Sequence, residues 1–428
     1  MPSLQSVISC LSDYDPSALR VDQANTIIRN VLEPVQGIEQ LAIRAALDRV
    51  LADDVISPID VPAHDNSAMD GYAFASQAAP DTAGDVVLEV IGTAYAGKAF
   101  DGAPTAAQAV RIMTGAVMPT GCDTVVPQEL VDIQAGGNQI RFSRDAVRPG
   151  DNRRLRGEDL ARGQAALSAG RILTPADLGL LASLGVAEIK VRRRLRVAFF
   201  STGNELRSIG EVLDPGCVYD SNRYTLHGML RRLNVDLIDM GVVRDDPDAM
   251  EVAFRSACEN ADAIITSGGV SVGDADYTKQ IMAKLGDVTF WKIAMRPGRP
   301  MAFGRIGSNG HEAMLFGLPG NPVAVMVTFY NFVRPALHRL MGAGAAALPR
   351  VRVRSATPIR KRPGRTEYQR GIVAAGPNGE LEVRITGQQG SGVLRSMSEA
   401  NCFIVLGHDQ ESVEIGDLVE VVLFHGLI

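Results

Sequence analysis

The sequence predicts a multidomain α/β protein: a doubly wound α/β domain, a helical N-terminal domain, an inserted β-rich domain and a C-terminal β domain. Two observations carry this. Between residues 194 and 345 short apolar strands alternate with helical stretches across loops bearing Gly or Asp, and such alternation implies a parallel sheet covered on both faces. On either side the helical period gives way to short apolar runs broken by Gly, Pro and Asp, as small β domains require. At roughly 150 residues per domain, a chain of 428 residues has room for about three cores.

In chain order, helical spacing comes first. Ala24, Ile27, Ile28 and Val31, then Leu41, Ile43, Leu47, Val50 and Leu51, suggest an all-helical start. From 61 to 150 the runs Val86-Val87-Leu88, Val110-Arg111-Ile112, Thr124-Val125-Val126 and Ile140-Arg141-Phe142 read as strands. Helical texture then returns: the Thr174 hydroxyl caps a stretch with Pro175 at its first position, and Gly185 stops it. The expected division is therefore a helical domain at 1–60 and 151–193, a β-rich insertion at 61–150, the α/β domain at 194–345 and a β domain at 346–428. Within the α/β domain, strands are expected at 195–200, 235–240, 263–266, 289–293 and 313–317. Helices are expected at 223–233, 248–260, 277–285 and 323–340.

Composition narrows the function. A charged share of 21% and a hydrophobic share of 46% fit a folded soluble chain. Five cysteines, odd in number and far apart (Cys10, Cys122, Cys217, Cys258, Cys402), fit buried thiols in a reducing cytosol. The six histidines form no HExxH or Cys/His cluster, so any metal is to be sought among oxygen ligands. The N-terminus lacks the basic and apolar regions of a signal peptide, and no segment offers ~20 uncharged apolar residues; a cytoplasmic protein without a membrane partner is expected. A net charge of −6 argues against non-specific nucleic-acid binding.

Several loops carry chemistry. The strand at 263–266 runs into Ser267-Gly268-Gly269, a turn whose backbone N–H groups and hydroxyls suit a phosphate, with Asp276 nearby. It is neither GxGxxG nor a Walker A motif, and a tight connection needing Gly for positive φ accounts for the same residues. Ser201-Thr202-Gly203-Asn204-Glu205 and Arg244-Asp245-Asp246-Pro247 follow neighbouring strands. Asp246 before Pro247 also fits a helix cap. Acidic loops converging beside a phosphate cradle suit a hard divalent cation such as magnesium. Lys292, Arg296 and Arg299 lie on a segment broken by Pro297-Gly298, so they form no single helix face and can turn into an anion pocket or into solvent. Pro319 and Pro322, in Gly-Leu-Pro-Gly-Asn-Pro, fix the backbone after the next strand.

Taken together in order, DNSAMDGYA (65–73), RIMTGA (111–116), RGED (156–159), STGNEL (201–206), SGGVSVGDADYT (267–278), WKIAMRPGRP (291–300), GLPGNP (317–322) and QGSG (389–392) resemble the molybdopterin molybdenumtransferase family, which includes bacterial MoeA and the E domain of gephyrin. The resemblance spans nearly the whole chain. It implies a molybdopterin-binding α/β domain, a four-domain elongated homodimer, and an active site completed across the dimer. The implied activity converts adenylyl-molybdopterin and molybdate into molybdenum cofactor and AMP.

By that resemblance Asp65, Thr114, Asp159, Asp276 and Lys292 fall on catalytic positions, and Glu205, Asp245 and Asp276 on positions that organise Mg2+. Ser267, Gly268, Gly269, Arg296, Pro319, Pro322 and Ser391 fall on substrate-binding ones. A transient contact with molybdopterin adenylyltransferase is also implied. The sequence departs from the family at Asn204, where many relatives carry Asp, and at Arg296 and Arg299, where lysines are common; arginine keeps the charge but changes its geometry. Two alternatives are molybdopterin adenylyltransferase, which would not need the N- and C-terminal motifs, and a gephyrin-like scaffold, for which the chain has no added adenylyltransferase domain or long linker.

Overall fold

The computed structural model describes residues 4–9, 14–77, 84–134, 136–269, 276–344 and 348–424, the side chains of Asp276 and Tyr277 excepted. The middle of the chain folds around a six-stranded sheet: β1 (Arg196–Thr202), β2 (Asp236–Val243), β3 (Ala263–Ser267), β4 (Gly286–Lys292), β5 (Pro300–Ser308) and β6 (His311–Leu318). Their order is β2-β1-β3-β6-β5-β4. The pairs β1–β2, β1–β3 and β3–β6 are parallel, whereas β5 runs antiparallel to both β6 and β4.

Strand β5 is absent from the sequence reading, because Gly304 and Gly307 look like breaks. In the fold glycine marks close approach instead: a Cβ at Gly304 would sit 2.1 Å from the Asp287 carbonyl oxygen of β4. The other strands lie where the apolar runs place them.

Both faces of the sheet are covered, which explains why β3 is buried along its whole length. Val197 and Phe199 of β1 join a core with Leu226 and Leu230 of α1 (Ser221–Arg231). Their alternates Ala198 and Phe200 face Met250 and Phe254 of α2 (Pro247–Asn260) and Ile281 and Met282 of α3 (Asp276–Leu285). The expected last helix is α4 (Pro322–Thr328) and α5 (Arg334–Leu340), separated by a π-turn over Phe329–Val333. Pro335, without an N–H to give the preceding turn, sits where the regular helix resumes.

The all-helical N-terminal expectation needs correction. Val21–Val31 is a helix and buries Ala24, Ile27, Ile28 and Val31 as spaced, but in the same core as Phe332 and Leu337 of the central domain. Beyond it, Ile38–Ala42 is a strand paired antiparallel with Glu188–Arg192, and Val55–Ile56 pairs with Ala165–Leu167. Leu51, Leu167, Leu173, Leu181 and Val191 close this small core. Its α-helix among the described residues is Pro175–Ser183, capped by Thr174. Short apolar runs fit either period, and the partner strand lies about 150 residues away in sequence, so local spacing could not identify the pairing.

The four runs read as strands between 61 and 150 all belong to one six-stranded sheet. At the C-terminus Thr366–Ala375, Leu381–Ile385, Val351–Ser355, Leu418–Leu423 and Cys402–Leu406 pair in turn, and the last returns to the first to close a barrel. Met295–Arg296, between β4 and β5, pairs parallel with Thr366–Glu367 of that barrel.

Candidate functional site

A cleft of about 560 Å³ opens at the carboxyl ends of the parallel strands, the place such sheets reserve for ligands. Thr202, Gly203 and Glu205 follow β1, Asp245 follows β2, Ser267, Gly268 and Gly269 end β3, and Pro319, Gly320 and Asn321 follow β6. The segment from Met295 to Pro300 forms one wall, and the barrel adds Arg365, Gln389 and Ser391.

The floor is a buried polar chain. Ser201 Oγ donates to Asp220 Oδ1 at 2.9 Å and lies 2.9 Å from Ser267 Oγ. Ser201 has one hydroxyl hydrogen; once given to Asp220, the Ser267 hydroxyl must be the donor in the second contact. The N–H of Gly268 donates to Leu318 O at 3.1 Å. The expectation that this turn offers its hydroxyl and backbone N–H groups freely is thus corrected: the Ser267 O–H and the Gly268 N–H are already committed within the protein. Thr202 Oγ1 and Asn222 Oδ1, by contrast, are buried beside the cleft with no partner among the described residues, and buried polar atoms of that kind call for a ligand or water.

Asp220 also caps α1 by accepting from the Arg223 N–H at 3.1 Å. Asp220→Ala removes both bonds, and a loss of about 1–2 kcal/mol of stability is expected. Asp220→Asn keeps a capping oxygen and should lose far less. Denaturant midpoints of the two variants check this; equal losses would show that the cap contributes nothing.

The carboxylates stand on adjoining loops. A Cβ at Gly203 would sit 2.7 Å from a Glu205 carboxylate oxygen, so Glu205 folds back over the β1 turn. The backbone N–H of Asp245 donates to Asn204 Oδ1 at 3.3 Å, tying the two loops together; this gives the amide at position 204 a bracing role. Asp246 caps α2 through Ala249 N at 2.9 Å. Two hard carboxylates facing one polar cleft, beside an unpartnered hydroxyl, suit Mg2+ with water and phosphate completing its shell. No group of three or more His, Cys, Asp or Glu forms a metal cage among the described residues.

Other expected residues lie elsewhere. Lys292 is exposed at the end of β4, its side chain outside the cleft lining, while Arg296 and Arg299 of the same segment do line it. Pro322 starts α4 just beyond the wall. Asp276 opens α3, but its side chain, with residues 270–275, lies outside the described residues.

Asp65 and Thr114 belong to the inserted lobe and Asp159 to the segment that returns from it, and none of the three lines the cleft. Asp65 accepts from the Arg156 N–H at 2.7 Å and pairs with Arg153; these bonds hold its carboxyl below the usual range. Thr114 donates to Asp70 from its N–H at 2.6 Å and its hydroxyl at 2.7 Å. Asp159 is exposed, its N–H bonded to Val61 O at 3.1 Å.

Sequence reasoning missed Asp220, Asn222 and Arg365, and singled out Gln389 only as part of the QGSG motif. Asn222 Nδ2 donates to Gly320 O at 2.7 Å, bridging α1 to the β6 loop. The signal available was Asp220-Ser221-Asn222 directly before a helix. No cysteine lines the cleft among the described residues, and burial pushes the Cys122 and Cys402 thiols up to about 12.

Residues 19–185 match the MoeA N-terminal region (domain I and II), 198–339 a probable molybdopterin binding domain, and 352–424 the MoeA C-terminal region (domain IV). The chain is 42% identical to a molybdopterin molybdenumtransferase of Haemophilus influenzae over 96% of its own length and 100% of the relative's. It is 38% identical to one of Nostoc, covering 92% and 91%. The crystal structure of a molybdopterin biosynthesis moeA protein from Pyrococcus horikoshii OT3 superposes with a TM-score of 0.81 at 26% identity, covering 95% of this chain and 100% of that one. Fold and near full-length similarity agree: this chain belongs to the molybdopterin molybdenumtransferase family.

Proposed function

We propose that the chain inserts molybdenum into adenylyl-molybdopterin, consuming molybdate and releasing AMP as the molybdenum cofactor forms. The observation that carries this is the meeting, in one cleft, of the Glu205 and Asp245 loops, the Ser267-Gly268-Gly269 turn, the Arg296 and Arg299 wall and Ser391 of the barrel. Breaking a phosphoanhydride needs charge stabilisation more than a strong nucleophile. Glu205 and Asp245, with Asp276, would hold Mg2+, which when bound supplies a Lewis acid for the anhydride oxygens. Arg296 and Ser391 receive the oxyanion or substrate phosphate, and Arg299 adds positive charge where the AMP phosphate leaves. Gly268 and Gly269, which pass close to Thr202 because they lack a Cβ, shape the turn against which the substrate lies, while Pro319 and Pro322 hold the opposite edge.

Asp65, Thr114 and Asp159 complete this reading if a second protomer brings its N-terminal lobe to the cleft, with Lys292 adding charge from the end of β4, and a homodimer is therefore part of the proposal. So are a cytoplasmic location and a transient contact with the adenylyltransferase that makes the substrate. No helix among the described residues is long and apolar enough to cross a membrane.

Incubation with adenylyl-molybdopterin and Mg2+ tests the reaction: AMP release that depends on molybdate is expected. Consumption of ATP with molybdopterin would instead identify an adenylyltransferase, and a scaffold would do neither.

A further inference from the structure

Between β1 and α1 the chain makes a loop that closes on itself at the edge of the cleft. Leu206 and Arg207 pair parallel with Val218 and Tyr219. The Val218 N–H donates to Glu205 O at 2.9 Å and the Asp220 N–H to Arg207 O at 3.0 Å, which ties the base of the loop. Farther out, Tyr219 Oη donates to Glu211 O at 3.0 Å and the Ser208 N–H to Glu211 Oε2 at 2.9 Å. A loop closed by its own bonds in this way is a compact body, not a slack tether.

Arg207 is the member of this loop to which the site described so far gives no part. Its Nη1 donates at 3.0 Å to both Asn204 O and Leu206 O, the carbonyls on either side of Glu205. Its Nη2 reaches Asp214 Oδ2 at 3.4 Å, an exposed pair that adds little by itself. With the bond from Val218, the carbonyls of Asn204, Glu205 and Leu206 are all held in succession. Asn204 is gripped a second time, because its Oδ1 accepts from the Asp245 N–H at 3.3 Å; the clamp therefore reaches the loop of the other carboxylate. The Glu205 carboxylate has no hydrogen bond with the described residues, so the backbone alone aims it. A carboxylate that meets a hard cation is directed by groups that do not touch the metal, and their loss weakens the metal.

We infer that Arg207 is a positioning residue for the metal-binding edge of the cleft: by holding the carbonyls before and after Glu205 it sets the direction of that carboxylate and its spacing from the Asp245 loop. The inference rests on the transferase reading for the presence of Mg2+ at Glu205, but its test reads metal binding and needs no turnover. Charge and position predict opposite signs. Arg207 is a cation on the loop of a cation's ligand, so by charge alone its removal tightens a divalent ion; loss of the clamp weakens it.

The experiment titrates Mn2+, which takes the same hard oxygen ligands as Mg2+, into the full chain with AMP present and counts the free ion by its EPR signal. Arg207→Gln should weaken Mn2+ about tenfold or more. Arg207→Lys, which keeps the charge but loses the planar fork, should fall between it and the wild type, and both variants should bind AMP without metal as the wild type does. The Arg207 side chain is 29% exposed, so neither change opens a void in a core and both chains should fold. If Arg207→Gln holds Mn2+ as tightly as the wild type, or more tightly, while Glu205→Gln loses it, the inference is overturned and the metal site stands. If Glu205→Gln itself binds Mn2+ like the wild type, the metal reading of this edge falls, and the role of Arg207 with it.

Discussion

Gly268→Ala should wreck the cleft floor. A Cβ there would lie 2.4 Å from the Thr202 carbonyl oxygen, and the residue has φ +90°, where an L side chain is strained. The obstacle is the backbone of β1, held on both sides by parallel pairing, so it cannot step aside as a flexible side chain could. Backbone strain and overpacking together should cost on the order of 2–4 kcal/mol. Separation of β1 from β3 at their carboxyl ends would also break the contact between Ser201 and Ser267. The expected results are a lower denaturation midpoint and loss of AMP binding. Gly320→Ala is the control: the nearest atom to its Cβ is Gly268 Cα at 3.8 Å. A Gly268→Ala chain as stable as the Gly320→Ala chain would refute the clash.

Glu205→Gln should act on chemistry alone. No hydrogen bond is formed by its carboxylate with the described residues, and the bond its backbone makes, from Val218 N at 2.9 Å, survives the change. Gln keeps the shape and removes the charge that a hard cation favours. Loss of one such electrostatic contact should slow AMP release roughly a hundredfold, or about 3 kcal/mol in the barrier, and raise the magnesium needed for half-maximal rate. Thermal stability should be unchanged. Unaltered turnover and unaltered magnesium dependence in a folded Glu205→Gln chain would remove Glu205 from the metal site.

Much of this site was legible because parallel sheets concentrate function at strand ends. Each loop that follows a buried apolar run was visible in the sequence, and Glu205, Asp245, Ser267, Arg296, Pro319 and Ser391 do share one cleft. What stayed hidden depended on partners distant in sequence. The commitment of the Ser267 hydroxyl follows from Asp220, whose carboxyl reaches Ser201 across 19 positions. Strand β5 was concealed by glycines that serve backbone contact. The strand Ile38–Ala42 was concealed by a partner at Glu188–Arg192.

The two crossings between the central core and its N-terminal lobe bear on how such a chain can be assembled and rearranged. The Arg193 N–H donates to Gly37 O at 3.1 Å, and on the core side Val35 N donates to Leu340 O at 2.8 Å while the Arg193 guanidinium grips Asp262 at 2.7 and 2.8 Å. Everything from residue 38 to 192 therefore leaves and re-enters through one doorway. In topological terms the lobe is a very long loop between the helix Val21–Val31 and β1, both already seated in the same core. Loop-closure entropy grows only with the logarithm of length, so the core bears little penalty for carrying it. A genetic splice across that doorway could exchange the whole lobe, provided that the incoming one fills the places that Val50 and Ile172 take in the central core and offers the Gly344 N–H the acceptor that Gly170 O gives it at 2.8 Å.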